Sequence, residues 1–562
     1  MNATPPPFNL DVSTETHEVL NQSSPLEGYN MYTGDTPLRE AIKRHGAAWA
    51  DDDLVAHGER CGSAEAYQWG FDANAYKPQF SSHDRQGFRV DLVTYHESYH
   101  RLMTMAMTEG LHAEPWINPG PGAHVARAAQ YFLQAQVESG HGCPVTMTFA
   151  AIPTLQLAPS VAAEWCPKIL TRQYDPRNVP HTDKQCLTIG MGMTEKQGGS
   201  DVRANTTRAQ RVTTDVWELT GHKWFTSAPM CDGFLVLAQT DAGVTCFLVP
   251  RWRDDGSKNA LYVQRLKNKM GNVANASSEI EMRRAMGWLV GEPGRGIPAI
   301  IQMVAMTRFD CMIGSAAAQR QAVSQAINHA AGRQAFGSTL LEQPLMRQVL
   351  ADLALEVEGS IALSMRMAEA LDRSLSPQGD MQEELLLRLG LPAGKYWICK
   401  RTPGLVYEAM ECLGGNGVTE DFIMARLYRD APINAIWEGS GNIQALDVWR
   451  AIGKSPGVID AWMAELATTQ NADSLLDKAV SALKEMVYAN DDQEARARTV
   501  AVQLALTLQA SLLVRGGNSA VAEAFIQSRL GGGAGLTFGM LPQGLDVTDV
   551  LQRAAPDVAC RA

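Results

Sequence analysis

Ile436-Trp437-Glu438-Gly439-Ser440-Gly441-Asn442 sets one carboxylate, with no acidic neighbour, beside a turn of small residues that lets backbone approach a ligand closely. Far upstream, Gly192-Met193-Thr194-Glu195-Lys196-Gln197-Gly198-Gly199-Ser200-Asp201 has the same small, hydroxyl-rich character. Two such segments so far apart predict a site assembled from different domains. The size of the chain agrees. Its 562 residues exceed the usual reach of one hydrophobic core and predict about three or four domains.

Around these two segments the chain changes character. From about 36 to 185 it reads as helical. Arg127 to Val137 shows helical spacing of apolar residues, preceded by the breaker Asn118-Pro119-Gly120-Pro121-Gly122. Near Gln185 short β-branched and aromatic runs begin, among them Gly233 to Leu237, Val244 to Val249 and Leu261 to Val263. Asp241-Ala242-Gly243 and Asp255-Gly256 punctuate them, which predicts a small antiparallel β-domain over about 186–290. Helices return after Gly296. Leu345, Val349, Leu353, Val357, Ile361 and Met365 form one apolar stripe, so 291–450 is expected to be an antiparallel bundle. Past Lys454-Ser455-Pro456-Gly457 a helical extension, 451–562, ends in Gly531-Gly532-Gly533-Ala534-Gly535 and a polar tail. The fold class is therefore mainly α with a central β-domain, residues 1–185 being the N-terminal helical domain.

A hydrophobic content of 45% and a charged content of 20% fit an ordinary soluble globular protein. A net charge of -12 argues against coating nucleic acid by bulk charge. The ten cysteines are scattered with no C-x-x-C pair, as expected of reduced thiols in a cytoplasmic protein. Met1 to Leu20 is polar, contains Pro5-Pro6-Pro7 and lacks the pattern of a secretory signal. No uninterrupted apolar run is long enough to span a bilayer, so no membrane is expected as a partner.

Four groups of residues could carry chemistry. Thr194, Gln197 and Ser200 offer hydrogen bonds, while Gly198 and Gly199 free backbone N–H groups to face an anion or a ring edge. In Lys223-Trp224-Phe225-Thr226-Ser227 an aromatic and a hydroxyl two residues on share a strand face, which suits a flat ring with one edge bond; a core Trp fits the same pattern. Arg333-Gln334-Ala335-Phe336-Gly337 and Gly414-Gly415-Asn416-Gly417 combine charge with glycine turns able to hold a pyrophosphate, but neither is G-x-G-x-x-G after a strand. Glu438 could act as a general base in a partly desolvated pocket, or be a solvated helix-start acid.

Two motif matches lead elsewhere. His96-Glu97-Ser98-Tyr99-His100 matches H-E-x-x-H but has no clear third ligand, so no metal site is expected. Gly390-Leu391-Pro392-Ala393-Gly394-Lys395 is one residue short of a P-loop, with Tyr396 in place of Ser or Thr.

Taken in order, M-T-E-K-Q-G-G-S-D, W-F-T, R-x-x-F-G, L-G-G-N-G and W-E-G-S-G-N resemble the motifs of the acyl-CoA dehydrogenase flavoprotein family. The wording of the first and last, the extended N-terminus and the C-terminal extension look like its AidB-type alkylation-response branch. The resemblance implies a helical domain, a β-barrel domain and a four-helix bundle, with FAD between the β-domain and the bundle. Met191, Met193, Thr194, Gln197, Gly199 and Ser200 would meet the flavin and its phosphates. Trp224 would flank the ring, with Phe225, Thr226 and Ser227 at its edge. Arg333, Phe336, Gly414, Gly415, Asn416 and Gly417 would reach the FAD of a neighbouring subunit in a homotetramer. Ile436, Trp437, Gly439, Ser440, Gly441 and Asn442 would close the site around Glu438 as base. Some relatives carry the base just before the Arg of the first bundle helix; here that place holds Thr307, before Arg308, leaving Glu438 as the matching base.

The same resemblance implies double-stranded DNA binding through the extension, with Arg515 and Arg529 as contacts, and at most weak acyl-CoA dehydrogenase activity. An ordinary metabolic acyl-CoA dehydrogenase for a branched or unusual acyl-CoA is the alternative. From residue 455 onward, eight Lys and Arg stand against twelve Asp and Glu, a balance of -4 that does not favour phosphate.

Overall fold

The computed structural model describes residues 16–489, 492–532 and 535–556. Pro5-Pro6-Pro7, Gly533 and Ala534 lie outside the described residues. The N-terminal part carries α1 (Thr36–Arg44), α2 (Asp51–Cys61), α3 (Ala64–Ala75), α4 (Glu97–Thr108), α5 (Glu114–Ile117), α6 (Ala123–Val137), α7 (Gly142–Leu155) and α8 (Pro159–Ile169). It is not wholly helical. An antiparallel hairpin, β1 (Gln79–His83) with β2 (Arg89–Thr94), interrupts it, turned by Asp84, whose carboxylate accepts from the Gln86 and Phe88 N–H groups at 2.9 Å each. Helix α4 begins at Glu97, with His96 as its cap, so the two histidines of the formal zinc match do not share a helical face.

The β-domain contains β3 (Ile189–Gly192), β4 (Arg208–Arg211), β5 (Val216–Ser227), β6 (Gly233–Thr240), β7 (Gly243–Pro250), β8 (Leu261–Leu266) and β9 (Ser277–Val290). The expectation of purely antiparallel pairing needs correction, because β3 and β4 each meet β6 in parallel. Strands β4, β5, β9, β7 and β6 pair in a closed ring, with β8 beside β9. Closure removes free edges, and alternate residues such as Trp217 and Leu219 fill the interior.

Helices α9 (Gly296–Gly332), α10 (Pro344–Ser374) and α11 (Met381–Cys412) form the long core of the bundle. Asp380 starts α11 by accepting from the Gln382 and Glu383 N–H groups, which satisfies donors a helix start leaves free. Gln319 of α9 donates to Thr402 Oγ1 of α11 at 3.0 Å, and Ser315 to Cys399 Sγ at 3.2 Å, so α9 and α11 run the same way. Arg127 of α6 meets Asp310 of α9 in a buried ion pair that fastens the N-terminal domain to the bundle. The apolar stripe of α10 is buried from Leu353 onward, but Leu345, in its first turn, is 81% exposed.

Short helices α12 (Ile423–Asp430) and α13 (Ile433–Ile436) lead to α14 (Gly441–Lys454). The extension follows as α15 (Val458–Ala467), α16 (Ser474–Tyr488), α17 (Gln493–Gly516), α18 (Ser519–Arg529) and α19 (Thr548–Ala554). It is bound to the bundle by charge as well as by apolar surface. Arg366 meets Glu383 and Glu465 at 2.8 Å each, and Arg553 reaches Glu40 and Glu358 at 2.8 Å each. Helices α9 and α17 are long and apolar enough to cross a membrane, although no uninterrupted apolar run shows it; both bury most of that length inside the fold.

Arg529, expected at a DNA surface, is a structural residue instead. Its side chain is 7% exposed and meets Asp352 at 2.6 Å and Glu356 at 3.3 Å. Burial there would lower its pKa, but the two carboxylates outweigh burial and raise it. Arg515 is partly exposed and paired to Glu465 at 2.6 Å.

Candidate active site

The upstream motif leaves β3 and folds on itself, with Glu195 and Gly198 forming an isolated antiparallel bridge. Glu195 is fully buried and paired to the equally buried Lys223 at 2.8 Å. It also accepts from the N–H groups of Thr206 at 2.7 Å and Thr207 at 3.1 Å. Burial alone would raise its pKa; the Lys223 ammonium and these donors hold the carboxyl well below its ordinary range. Gln197 serves the same anchor, its amide donating to Glu195 at 2.8 Å and to the Ala204 carbonyl at 3.1 Å. A Cβ at Gly199 would stand 2.3 Å from Thr194 Oγ1, so this tight turn requires glycine.

The anchor carries β5 with it. Trp224 N–H donates to the Thr194 carbonyl at 2.8 Å, joining the two predicted segments directly. Lys267 Nζ lies 3.2 Å from the centre of the Trp224 ring, a cation–π contact. Phe225 points outward at 47% exposure, and Thr226 points inward, fully buried. Thr226 Oγ1 has no hydrogen-bond partner. A buried hydroxyl left unpaired is costly, and a ring edge bearing a polar atom would satisfy it. A bulge between Lys223 and Thr226 breaks the strand alternation, so Trp224 and Thr226 do not simply share a face as expected; the unpaired hydroxyl beside Gly192 is the feature that fits a flavin ring edge.

Glu438 sits in the turn between α13 and α14 with φ of 57°, a left-handed conformation unfavourable for a residue with a Cβ. Donors from three helices hold it there. Arg308 of α9 donates to the Glu438 carbonyl at 3.0 Å, and Gln444 of α14 to the same oxygen at 2.9 Å. Lys395 of α11, itself buried, donates to the Trp437 carbonyl at 2.8 Å and the Gly439 carbonyl at 2.6 Å. Arg308 is in turn fixed by Asp447 at 2.7 Å. The carboxylate accepts from Thr307 Oγ1 at 2.7 Å. Burial raises the Glu438 pKa above that of an ordinary carboxylate; the Thr307 bond and the charges of Lys395 and Arg308 limit the rise.

Cys143 of α7 relates the two walls. Burial pushes its thiol up to about 11, Glu438 adds to the rise, and Ser227 of β5 offsets it from within hydrogen-bonding reach. Glu438 and Ser227 of β5 thus both act on the one buried thiol of α7.

Other expected residues lie elsewhere. Arg333 donates to the Asn21 carbonyl at 2.7 Å, and Phe336 stands fully exposed at the tip of hairpin β10 (Gln334–Ala335) with β11 (Ser338–Thr339). The Gly414–Val418 turn follows α11, and a Cβ at Gly414 or Gly415 would meet nothing within 4 Å. Because α9 and α11 run together, both features lie at the far bundle end, about 37 Å from Thr307 at 1.5 Å per residue. They do not join the Thr226–Glu438 site of their own chain.

Sequence reasoning missed Lys395, Gln444 and Asp447, and placed Thr307 only as a residue that is not a base. The signal for Lys395 was its position in an apolar helical run, where an ammonium must find acceptors.

Comparison with known proteins identifies the family. Residues 21–176 match the adaptive response protein AidB N-terminal domain, 190–285 the acyl-CoA dehydrogenase middle domain and 294–453 the acyl-CoA dehydrogenase C-terminal domain. The chain is 45% identical to AidB of Escherichia coli (strain K12) over 92% of this chain and 95% of that one. It is 29% identical to acyl-CoA dehydrogenase family member 11 of Caenorhabditis elegans over 84% of this chain and 81% of that protein. The crystal structure of Caenorhabditis elegans ACDH-11 in complex with C11-CoA superposes with a TM-score of 0.84 at 26% identity, covering 92% of this chain and 94% of that one. A Bacillus anthracis acyl-CoA dehydrogenase complexed with FAD shares the fold with a TM-score of 0.60 at 18% identity, covering 77% of each chain. With three matched domains and a relative 45% identical over most of both chains, the chain belongs to the AidB-like branch of the acyl-CoA dehydrogenase family of FAD-dependent oxidoreductases.

Proposed function

We propose that this protein oxidises an acyl thioester, with Glu438 taking the proton alpha to the carbonyl. The observation that carries the reading is one carboxylate, its pKa raised by burial, held in a strained turn by Arg308, Gln444 and Lys395 and aimed by Thr307. FAD, when bound, supplies the hydride acceptor for the beta carbon. The chain supplies the rest. The Thr226 hydroxyl is free to bond a ring edge. Holding Glu438 rigidly removes the orientational cost of proton transfer, and burial brings its basicity toward the working pH. The solved relative carrying C11-CoA supports an acyl-CoA as substrate. Arg333, Phe336 and Gly414–Gly417, remote from their own chain's site, are read as contacts to FAD of a neighbouring subunit in a cytoplasmic homotetramer.

Glu438→Gln tests the base. The purified protein should remain yellow, while flavin bleaching on mixing with an acyl-CoA falls by about 10²–10⁴-fold, the usual worth of a general base. Unchanged bleaching removes Glu438 from that role.

A second reading, a DNA-alkylation response role with duplex DNA as partner, is favoured by the match of residues 21–176 and the likeness to Escherichia coli AidB. Arg529 is unavailable for it, being buried and paired, so any phosphate surface draws on other residues. Duplex retention by the full chain, titrated with salt, should fall steeply if phosphates are held. Absence of retention at low salt ends this reading.

A further inference from the structure

The turn carrying Glu438 has a neighbour outside the three matched domains. Arg498, in the second turn of α17, donates from Nε to Asn442 Oδ1 at 2.8 Å. Asn442 is the second residue of α14, and Ser440, at the α14 cap, makes no side-chain capping bond. A Cβ at Gly441 would lie 3.4 Å from the Tyr396 ring and 3.5 Å from Lys400 Nζ, both on α11. Thus both α11, through Tyr396 and Lys400, and α17, through Arg498, pack against the first turn of α14. Among the described residues Arg498 pairs with no carboxylate, unlike Arg366, Arg529 and Arg553, whose ion pairs fasten the extension to the rest of the chain.

We propose that Arg498 is a positioning residue for the flavin turn, acting through Asn442, so that the C-terminal extension is a working part of the oxidoreductase site. The inference rests on Ile436–Asn442 being that turn. The first turn of α14 sits directly after Gly439, whose φ of 96° and close approach to Gln444 leave the segment little freedom. Fixing Asn442 from outside therefore fixes the backbone that follows the base.

The test is a double-mutant cycle on the full chain with Arg498→Ala, Asn442→Ala and the pair. Three quantities are read: the FAD dissociation constant, the rate of flavin bleaching by acyl-CoA and the melting temperature of the FAD-free protein. Each single change is expected to weaken FAD about fivefold, the worth of one ordinary hydrogen bond. The double variant should be no weaker than either single one, and Arg498→Lys should restore part of the loss. Both side chains are exposed, so the melting temperature of the FAD-free protein should stay at the wild-type value. Unchanged FAD affinity, additive losses, or a melting temperature that falls in step with affinity overturns the proposal. Wild-type affinity for FAD separately tests the flavin turn itself.

Discussion

Replacing Thr307 by Val should move the acid limb of the flavin-reduction profile to higher pH. Thr307 Oγ1 donates to Glu438 Oε2 at 2.7 Å, a bond made to the charged form of the base. That bond limits the rise in pKa that burial imposes on Glu438, so losing it lets the pKa climb further. A hydrogen bond to a charged group contributes about 1.5–3 kcal/mol. The lower figure already changes the ratio of carboxylate to carboxylic acid about tenfold, since about 1.4 kcal/mol is a factor of ten. At a pH on the acid limb, the variant should therefore reduce its flavin about tenfold more slowly. At high pH, where the base is ionised in both proteins, the rates should converge. Valine keeps the shape of threonine, and Thr307 is 1% exposed, so packing is little disturbed. The assay is rapid mixing of the yellow protein with an acyl-CoA across pH, reading flavin absorbance. An acid limb that stays in place or moves to lower pH refutes the reasoning, as does a rate lost equally at every pH.

Thr226→Val should weaken FAD about tenfold while leaving the FAD-free protein as stable as wild type or more so. The reason is that Thr226 Oγ1 is buried without a protein partner and would gain one from the bound ring; calorimetric melting with and without FAD measures both effects. Arg529→Ala should lower unfolding stability by about 3–5 kcal/mol in urea, because Asp352 would be left buried without its cation, while Glu356 keeps Arg401. Full stability combined with lost DNA retention would instead return Arg529 to a phosphate surface.

What was legible in the sequence follows from local physics. The glycines of the two motifs mark backbone that only glycine tolerates, as Gly199 against Thr194 and Gly439 at φ of 96° show. Hairpin β1–β2 was missed, although Asp84 and Gly87 mark its turn, because flanking helical pattern dominated the segment. Parallel pairing of β3 and β4 with β6 depends on chain crossings that no local pattern records. A charged residue reads alike whether exposed or buried when its partner is distant. Arg529 and Asp352 are 177 positions apart, and nothing near Arg529 announces the pair.

Thr307 shows the same limit from the other side. As a residue type it marks only that the first bundle helix carries no acid before Arg308. Folding brings its hydroxyl to 2.7 Å from a carboxylate oxygen 131 positions away. Position 307 and the side chain of Glu438 therefore address the same point in space from two different elements, α9 and the turn before α14. A base could be supplied from either place while meeting the same substrate carbon, which accounts for relatives that carry it on the first bundle helix. In this chain the turn holds a left-handed glutamate, with φ of 57°, at that point, and α9 contributes the donor that limits the rise of its pKa.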